Sequence, residues 1–241
     1  MTKILEIKNA VKAFGGLYAV DDVSFDVTQG ELLGIAGPNG SGKSTLFNII
    51  TRIPFGPTSG QILFQGKRID HLAAHKIARL GLVRTFQKDV EFPDLNVVET
   101  VVLAAHYGSE HSVAGAEVES LLDDLEFGSE RLGLPTTELS VYERKQLMIA
   151  SAMIMQPKVL MLDEPASGLT RPEISKLDAL LRKINAGGVT VLLIEHVLSL
   201  LMSVSQRLIV LNQGSLLAEG DPHAVFNRPE VIEAYIGARA E

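Results

Sequence analysis

Residues 32–53 read L-L-G-I-A-G-P-N-G-S-G-K-S-T-L-F-N-I-I-T-R-I, and this stretch decides the fold. Its first five residues form a short apolar run, which is typical of a buried strand. The run leads into Gly37–Ser44, which fits the phosphate-binding pattern G-x-x-x-x-G-K-[S/T] at every fixed position. A helix should follow, because apolar residues recur at the spacing of one helix face: Leu46, Ile49, Ile50 and Ile53. Strand, loop and helix therefore stand in the order that a nucleoside triphosphate site requires.

The residue types of the loop suit a phosphate group. Gly37, Gly40 and Gly42 allow a tight turn and leave no side chain between the backbone N–H groups and an anion. We expect Lys43 to reach the β- and γ-phosphates and the Ser44 hydroxyl to bind Mg²⁺. The alternative is a glycine-rich turn with a chance lysine, and the flanking strand and helix argue against it. The residues predicted to hold the nucleotide are Gly37, Asn39, Gly40, Ser41, Gly42, Lys43, Ser44 and Thr45.

The composition is that of a chain with a large apolar interior. The 241 residues are 46% hydrophobic, with a mean hydropathy of +0.20, which suits a parallel sheet buried on both faces together with an apolar contact surface. No apolar run approaches the roughly 18 residues that a membrane helix needs, and the start lacks a signal-peptide profile, so we expect a cytoplasmic chain. The net charge of −7 does not indicate nucleic-acid binding. The chain has no cysteine, so thiolate metal sites are excluded.

The pattern of the first 87 residues is mainly that of strands. Residues 3–36 are rich in alternating apolar positions, and further strands are predicted at 61–65 and 82–86, where the last one stops at Gln87. A short helix is predicted at 71–80. This part should therefore contain an antiparallel β region and the first strands of a core sheet.

Residues 88–155 have helical character instead. Asn96 with Glu99, and Ser140 with Glu143, have the spacing of helix capping pairs. The α/β pattern then resumes with apolar strands at 159–162 and 189–194 and a hairpin at 207–218. We predict one α/β nucleotide-binding domain over 1–241, with a phosphate-loop NTPase core and a mostly parallel sheet. Its parts are an α/β core with an N-terminal antiparallel β subdomain (1–87 and 156–241) and an inserted helical subdomain (88–155).

Three polar residues follow the two later strands. Asp163 ends the apolar run at 159–162, so it can join Ser44 around Mg²⁺, and Glu164 is the candidate base for an attacking water. An acidic pair after a strand is more often a solvated turn, but the phosphate loop favours the catalytic interpretation. His196 follows the strand at 189–194, where a parallel sheet presents ligand-contacting groups, so we expect it to sense the γ-phosphate.

With these residues in place, the chain resembles the ATP-binding cassette (ABC) family of transporter ATPases over nearly its whole length. The matching segments are the phosphate loop, Gln87 after 84–86, Leu139-Ser140, 161–165 and 194–196. Finer features are similar to the ATPases of branched-chain amino acid importers and their urea and amide relatives. These are F-G-G-L-Y-A-V-D-D-V-S-F (14–25), V-R-T-F-Q (83–87), I-E-H (194–196) and V-I-E-A-Y-I-G (231–237).

The resemblance implies a function and several roles. Phe14 would stack on adenine, and Gln87 would take part in Mg²⁺ binding and catalysis. The chain would hydrolyse ATP on the inner face of the membrane, with transmembrane permease subunits, a second ATPase subunit and, indirectly, a substrate-binding protein. Alternatives are a urea or amide importer, a lipid exporter, a cassette of DNA repair or translation, and a regulatory module without turnover.

Two departures from the family pattern concern the partner's site. The family signature reads L-S-G-G-Q and reaches the γ-phosphate held by the other cassette, whereas this chain has Leu139, Ser140, Val141, Tyr142 and Glu143. Thr170 stands where Asp or Asn is usual. The resemblance therefore suggests a heterodimer with one hydrolytic site, because Tyr142 would crowd the phosphate at the other. The alternative is a tolerated substitution whose ring swings clear.

Overall fold

A computed structural model describes residues 2–86, 92–108 and 113–237 of the chain. The strands are β1 (Lys3–Phe14), β2 (Leu17–Thr28), β3 (Leu32–Ala36), β4 (Ser59–Phe64), β5 (Lys67–Arg68), β6 (Leu82–Arg84), β7 (Val159–Asp163), β8 (Thr190–Ile194), β9 (Arg207–Asn212) and β10 (Ser215–Gly220). The helices are α1 (Lys43–Thr51), α2 (Ala74–Arg79), α3 (Val97–Gly108), α4 (Gly115–Asp124), α5 (Val141–Met153), α6 (Arg171–Ala186), α7 (Leu198–Val204), α8 (Pro222–Phe226) and α9 (Pro229–Gly237). No helix in these ranges combines the length and the apolar character needed to cross a membrane.

A six-stranded sheet forms the centre of the protein, in the order β10-β9-β3-β8-β7-β6. Its five strands from β9 to β6 are parallel, and β10 pairs with β9 in the antiparallel sense. Every residue of β3, β7 and β8 is buried, as expected for parallel strands that are covered on both faces. The predicted mostly parallel core is therefore confirmed.

The N-terminal strands form a second, antiparallel sheet in the order β2-β1-β4-β5. This arrangement confirms the predicted antiparallel β subdomain. Neighbouring residues of the central strands serve two separate cores, because side chains alternate between the faces of a sheet. In β8, Leu192 belongs to the core that includes α1 and the antiparallel sheet, whereas Leu193 belongs to the core that includes α3, α5, α6 and α7.

Both capping pairs that the sequence indicated are present. Asn96 and Glu99 exchange side-chain and backbone hydrogen bonds of 2.8 and 2.9 Å before α3. Ser140 and Glu143 do the same at the start of α5. The capped helices α3 and α5 contact each other and α4, which suits the prediction of a helical insertion over 88–155. The exact division into subdomains stays a prediction.

Three boundaries differ from the sequence prediction. Helix α1 ends at Thr51 because Arg52 takes a left-handed conformation with φ of 56°, so Ile53 lies beyond the helix. Helix α2 begins at Ala74 rather than at 71, since the preceding residues form a turn in which the Leu72 N–H donates to the Ile69 carbonyl. Strand β6 ends at Arg84, whose side chain turns into a polar cluster described below.

The central strand generates a stability prediction. Leu193→Ala should lower the free energy of unfolding by about 2–5 kcal/mol, because Leu193 is fully buried and the change leaves a cavity. The same change at Leu17, which is 67% exposed, should cost less than about 0.5 kcal/mol. Urea denaturation of the two variants and the parent protein measures both. Equal losses would contradict the placement of β8 at the centre of the sheet.

Candidate functional site

The carboxyl ends of three parallel strands meet at one cleft. The phosphate-binding loop follows β3, Glu164 follows β7, and His196 follows β8 by two residues. The cleft has a volume of about 210 Å³ and is lined by Ala19, Asn39, Gly40, Ser41, Gly42, Lys43, Ser44, Thr45, Glu164 and His196. The structure therefore brings the phosphate-binding loop together with Glu164 and His196, which the sequence analysis predicts for the same site.

Two glycines of the loop have no room for a side chain. Gly37 has a φ of +146°, and a Cβ atom there would lie 2.2 Å from the Leu211 carbonyl oxygen. Gly42 has a φ of +102°, and its Cβ would lie 2.3 Å from the Ala19 carbonyl oxygen. Both positions thus need glycine for the backbone angle and for the close approach of another strand.

Lys43 is buried inside the loop that precedes it. Its Nζ donates to the carbonyl oxygens of Gly37 at 2.8 Å and of Pro38 at 2.9 Å. Burial lowers the pKa of the ammonium group, and the charges of Glu164 and Asp163 oppose that shift. Among the described residues the buried Ser41 hydroxyl has no hydrogen-bond partner. The loop therefore presents an ammonium group and an unpaired hydroxyl, as a phosphate-binding loop requires.

Asp163 is held by a buried arginine from the neighbouring strand. Arg84 Nη2 donates to Asp163 Oδ2 at 2.6 Å, and Nη1 donates to Asn48 Oδ1 of α1 at 2.6 Å. Burial raises the pKa of Asp163, and the guanidinium of Arg84 opposes this rise. In the part of the chain that the structure describes, Asp163 Oδ1 has no hydrogen-bond partner. One carboxylate oxygen is thus fixed, and the other remains available to a ligand.

Glu164 and His196 form a pair across the ends of β7 and β8. His196 Nε2 lies 2.8 Å from Glu164 Oε1, and the Glu164 backbone N–H donates to the Ile194 carbonyl at 2.9 Å. Glu164 has a left-handed backbone with a φ of 52°, which is uncommon for a residue other than glycine. The carboxylate is largely buried, whereas the imidazole is 40% exposed. Such a pair can orient a water molecule and accept its proton.

Glu195 is a buried carboxylate to which the sequence analysis assigned no role. Its Oε1 accepts from the Ala166 N–H at 2.5 Å, and its Oε2 accepts from the N–H groups of His196 at 3.0 Å and Val197 at 3.2 Å. Burial raises its pKa, while these three hydrogen bonds lower it. Glu195 therefore ties the segment after Glu164 to the segment that carries His196. The signal was present in the I-E-H motif, since a glutamate is rarely buried without partners.

Gly37, Asp163 and Phe14 are predicted for the site but are not among the residues that line the cleft. Phe14 is 47% exposed at the tip of the β1-β2 hairpin, and its ring meets Phe55 edge to face at 5.2 Å. It does not line the cleft, although Ala19 of the same hairpin does. Gln87 lies outside the described residues.

The signature residues at the start of α5 are also away from the cleft that the described residues form. Tyr142 is half-buried against the core, and the Nζ of Lys176 in α6 lies 5.7 Å from its ring centroid. Burial raises the pKa of Tyr142, as do the charges of Glu126 and Glu173. The ring therefore turns back onto its own chain.

Comparisons with known proteins agree with this geometry. A family model described as ABC transporter matches residues 20–167, and one described as branched-chain amino acid ATP-binding cassette transporter matches residues 215–241. The high-affinity branched-chain amino acid transport ATP-binding protein LivG of Salmonella typhimurium is 38% identical to this chain. The match covers 97% of this chain and 98% of LivG. Its counterpart BraF of Pseudomonas aeruginosa is 39% identical with the same coverage.

Solved structures give the same result. A nucleotide-free ATP-binding cassette from an ABC transporter, 30% identical, matches 98% of this chain and 99% of its own with a TM-score of 0.90. An ATP-binding cassette in its ADP conformation, also 30% identical, matches 98% and 100% with a TM-score of 0.89. The resemblance inferred from the sequence is confirmed, and the chain belongs to the ATP-binding cassette family of ABC transporters.

Proposed function

We propose that the chain is the ATP-hydrolysing subunit of an importer for branched-chain or other hydrophobic amino acids. The observation that carries hydrolysis is the Glu164–His196 pair, which lies in the cleft lined by the phosphate loop. The cargo is inferred from the relatives, whose names describe them as branched-chain amino acid transport proteins. Phe14 is proposed to stack on adenine, because its exposed ring lies on the hairpin that reaches the cleft.

Two oxygen-bearing residues at this edge of the sheet fit a magnesium ion. Asp163 Oδ1 is buried without a hydrogen-bond partner among the described residues, and the exposed Ser44 lines the cleft together with Glu164, the residue that follows Asp163. Carboxylate and hydroxyl oxygens are ligands that Mg²⁺ prefers. We therefore propose Ser44 and Asp163 as ligands, with Gln87 completing the set. When bound, the ion would neutralise charge that develops on the phosphates.

The chain's own groups would share the hydrolytic step as follows. A water oxygen bonds to the γ-phosphorus, the bond from that phosphorus to the bridging oxygen of ADP breaks, and Glu164 takes the proton of the water. Lys43 donates to the β- and γ-phosphates in place of the two loop carbonyls that it now contacts. His196 senses the γ-phosphate and orients the Glu164 carboxylate.

The permease subunits are proposed to dock on the helical part of the chain. A mainly apolar groove of about 290 Å³ lies between α3 and α5, lined by Phe92, Thr100, Leu103, Ala104, Tyr107, Thr136, Arg144, Leu147, Met148 and Ser151. Tyr107 is 70% exposed, as expected for a residue that a partner helix would cover. The chain would then lie on the inner face of the membrane and reach a substrate-binding protein only through the permeases.

The second ATPase is proposed to be a different chain. The ring of Tyr142 turns towards Lys176, which is the arrangement that a tolerated substitution would need. The argument for a heterodimer therefore rests on Glu143, whose carboxylate accepts the Ser140 N–H at 2.8 Å. The anionic group occupies a donor at the N-terminus of α5. Arg131 Nε lies 3.0 Å from Glu143 Oε1 and offsets part of its charge, and the remainder would repel a phosphate held by a partner.

The first prediction of this function concerns the proposed base. Glu164→Gln should leave ATP binding intact and lower kcat at least roughly a hundredfold, because the amide cannot take a proton from water. Lys43→Ala should instead abolish binding, since it removes the ammonium group from the loop. Calorimetry with Mg·ATP and steady-state hydrolysis separate the two effects. Undiminished hydrolysis in the Gln variant would exclude Glu164 as the base.

The second prediction concerns Glu195. In Glu195→Gln the amide nitrogen must replace one carboxylate oxygen, which accepts hydrogen bonds from backbone N–H groups in the parent protein. Because an amide nitrogen cannot accept them, the segments that carry Glu164 and His196 lose their common anchor. We expect kcat to fall roughly tenfold or more, because small displacements of catalytic groups are costly. ATP affinity should stay within about twofold of the parent value, since the loop is untouched. The exposed Glu119 of α4 provides the control as Glu119→Gln.

The third prediction concerns the signature. Purified alone, the chain should hydrolyse ATP slowly, and the double change Tyr142→Gly with Glu143→Gln should raise kcat roughly tenfold, because it removes the carboxylate charge from the N-terminus of α5. Glu99→Gln is the matched control, because it removes the equivalent carboxylate from the capping pair of α3. Brisk hydrolysis by the parent homodimer that the double change leaves unaltered would refute the heterodimer.

A further inference from the structure

The C-terminal helix touches the phosphate-binding loop through a single side chain. The Tyr235 hydroxyl of α9 accepts the backbone N–H of Gly37 at 2.7 Å, although the two residues are 198 positions apart in the sequence. Tyr235 is not among the residues that line the nucleotide cleft. Any effect of this side chain on the nucleotide would therefore act through the loop.

Gly37 is the residue at which packing and hydrogen bonds fix the start of the loop. A Cβ atom at this residue would lie 2.2 Å from the Leu211 carbonyl oxygen and 2.6 Å from Ser41 Oγ, so the backbone has little room to shift. Its carbonyl oxygen accepts from Lys43 Nζ, and its N–H donates to Tyr235. The two polar groups of Gly37 thus connect the lysine that would hold the phosphates with the C-terminal helix.

The phenol is itself held in a defined position. Its ring packs against Phe226 of α8 with a centroid distance of 6.2 Å, and it lies against the larger apolar core. Burial raises the pKa of Tyr235, so the hydroxyl stays neutral at physiological pH. A half-buried tyrosine of this kind offers a polar atom on a ring that is held by apolar neighbours, which suits the support of a backbone amide.

We propose that Tyr235 is a positioning residue for the phosphate-binding loop, so that the C-terminal segment sets the nucleotide affinity of the chain. This inference rests on the proposed function, because it needs a nucleotide that the loop holds by its β-phosphate. The segment supplies no atom to the cleft and acts by fixing the N–H of Gly37. Without the hydroxyl, that N–H loses its acceptor and the first residue of the loop loses a restraint.

The test is the change Tyr235→Phe, which removes one oxygen and keeps the ring that packs on Phe226. Its dissociation constants for ADP and its KM for ATP should rise roughly three- to tenfold, as expected for the loss of one hydrogen bond, while kcat stays within about twofold of the parent value. Titration calorimetry with ADP gives binding without hydrolysis. Ile236→Ala is the control on the same helix, because Ile236 is 65% exposed.

Thermal unfolding of the nucleotide-free proteins separates folding from positioning. A lower melting temperature with unchanged ADP affinity in Tyr235→Phe would overturn the proposal, since the hydroxyl would then serve stability alone. Equal weakening in Ile236→Ala would overturn it too, because the effect would belong to helix packing. If the parent protein bound neither ADP nor ATP, the proposed function itself would fall, and this inference with it.

Discussion

The parallel pairing of β3, β8 and β7 is the constraint on which the site depends. In this register Leu162 lies opposite Leu193 and Asp163 opposite Ile194, so both strands end at the same level. The loop after β3 starts beside them, because Ile35 is paired with Ile194. A parallel sheet therefore places the phosphate loop, Glu164 and His196 at one edge, although the three lie far apart in the sequence. A slip by one residue would turn the whole set of side chains to the opposite face.

The same edge concentrates charge in a place where water is scarce. Four charged side chains are largely or fully buried there: Lys43, Arg84, Asp163 and Glu195. Burial lowers the pKa of the two basic groups and raises the pKa of the two acids, so it disfavours the charged form of each. Desolvation of so many charges costs stability, which ion pairs and backbone hydrogen bonds offset only in part. The apolar residues on both faces of the sheet supply the stability that lets this edge remain polar. A site that must bind a highly charged ligand is thus built on the most apolar part of the chain.

The sequence predicted the features that arise from neighbouring residues. The phosphate loop, both capping pairs and the acidic residues at the end of β7 each depend on a few consecutive positions, and the structure has them where expected. Contacts between distant parts of the chain cannot be predicted from local patterns. Arg84 stands in a short sequence motif, but nothing in its vicinity predicts its hydrogen bond to Asp163. The orientation of Tyr142 likewise depends on α6, whose position relative to α5 no local pattern encodes.

The phosphate loop shows why such contacts matter. Its conformation looks local, since three glycines and a lysine suffice to recognise it, yet other segments restrict it from outside. The Gly214 N–H of the β9-β10 turn donates to the Ser41 carbonyl at 3.1 Å, and the Asp21 N–H of β2 donates to the Gly214 carbonyl at 2.8 Å. The hairpin that carries Ala19 is thereby joined to the loop through a turn of another sheet. A loop that grips phosphates with backbone N–H groups must keep those groups in fixed directions, so its affinity depends on every segment that holds its backbone.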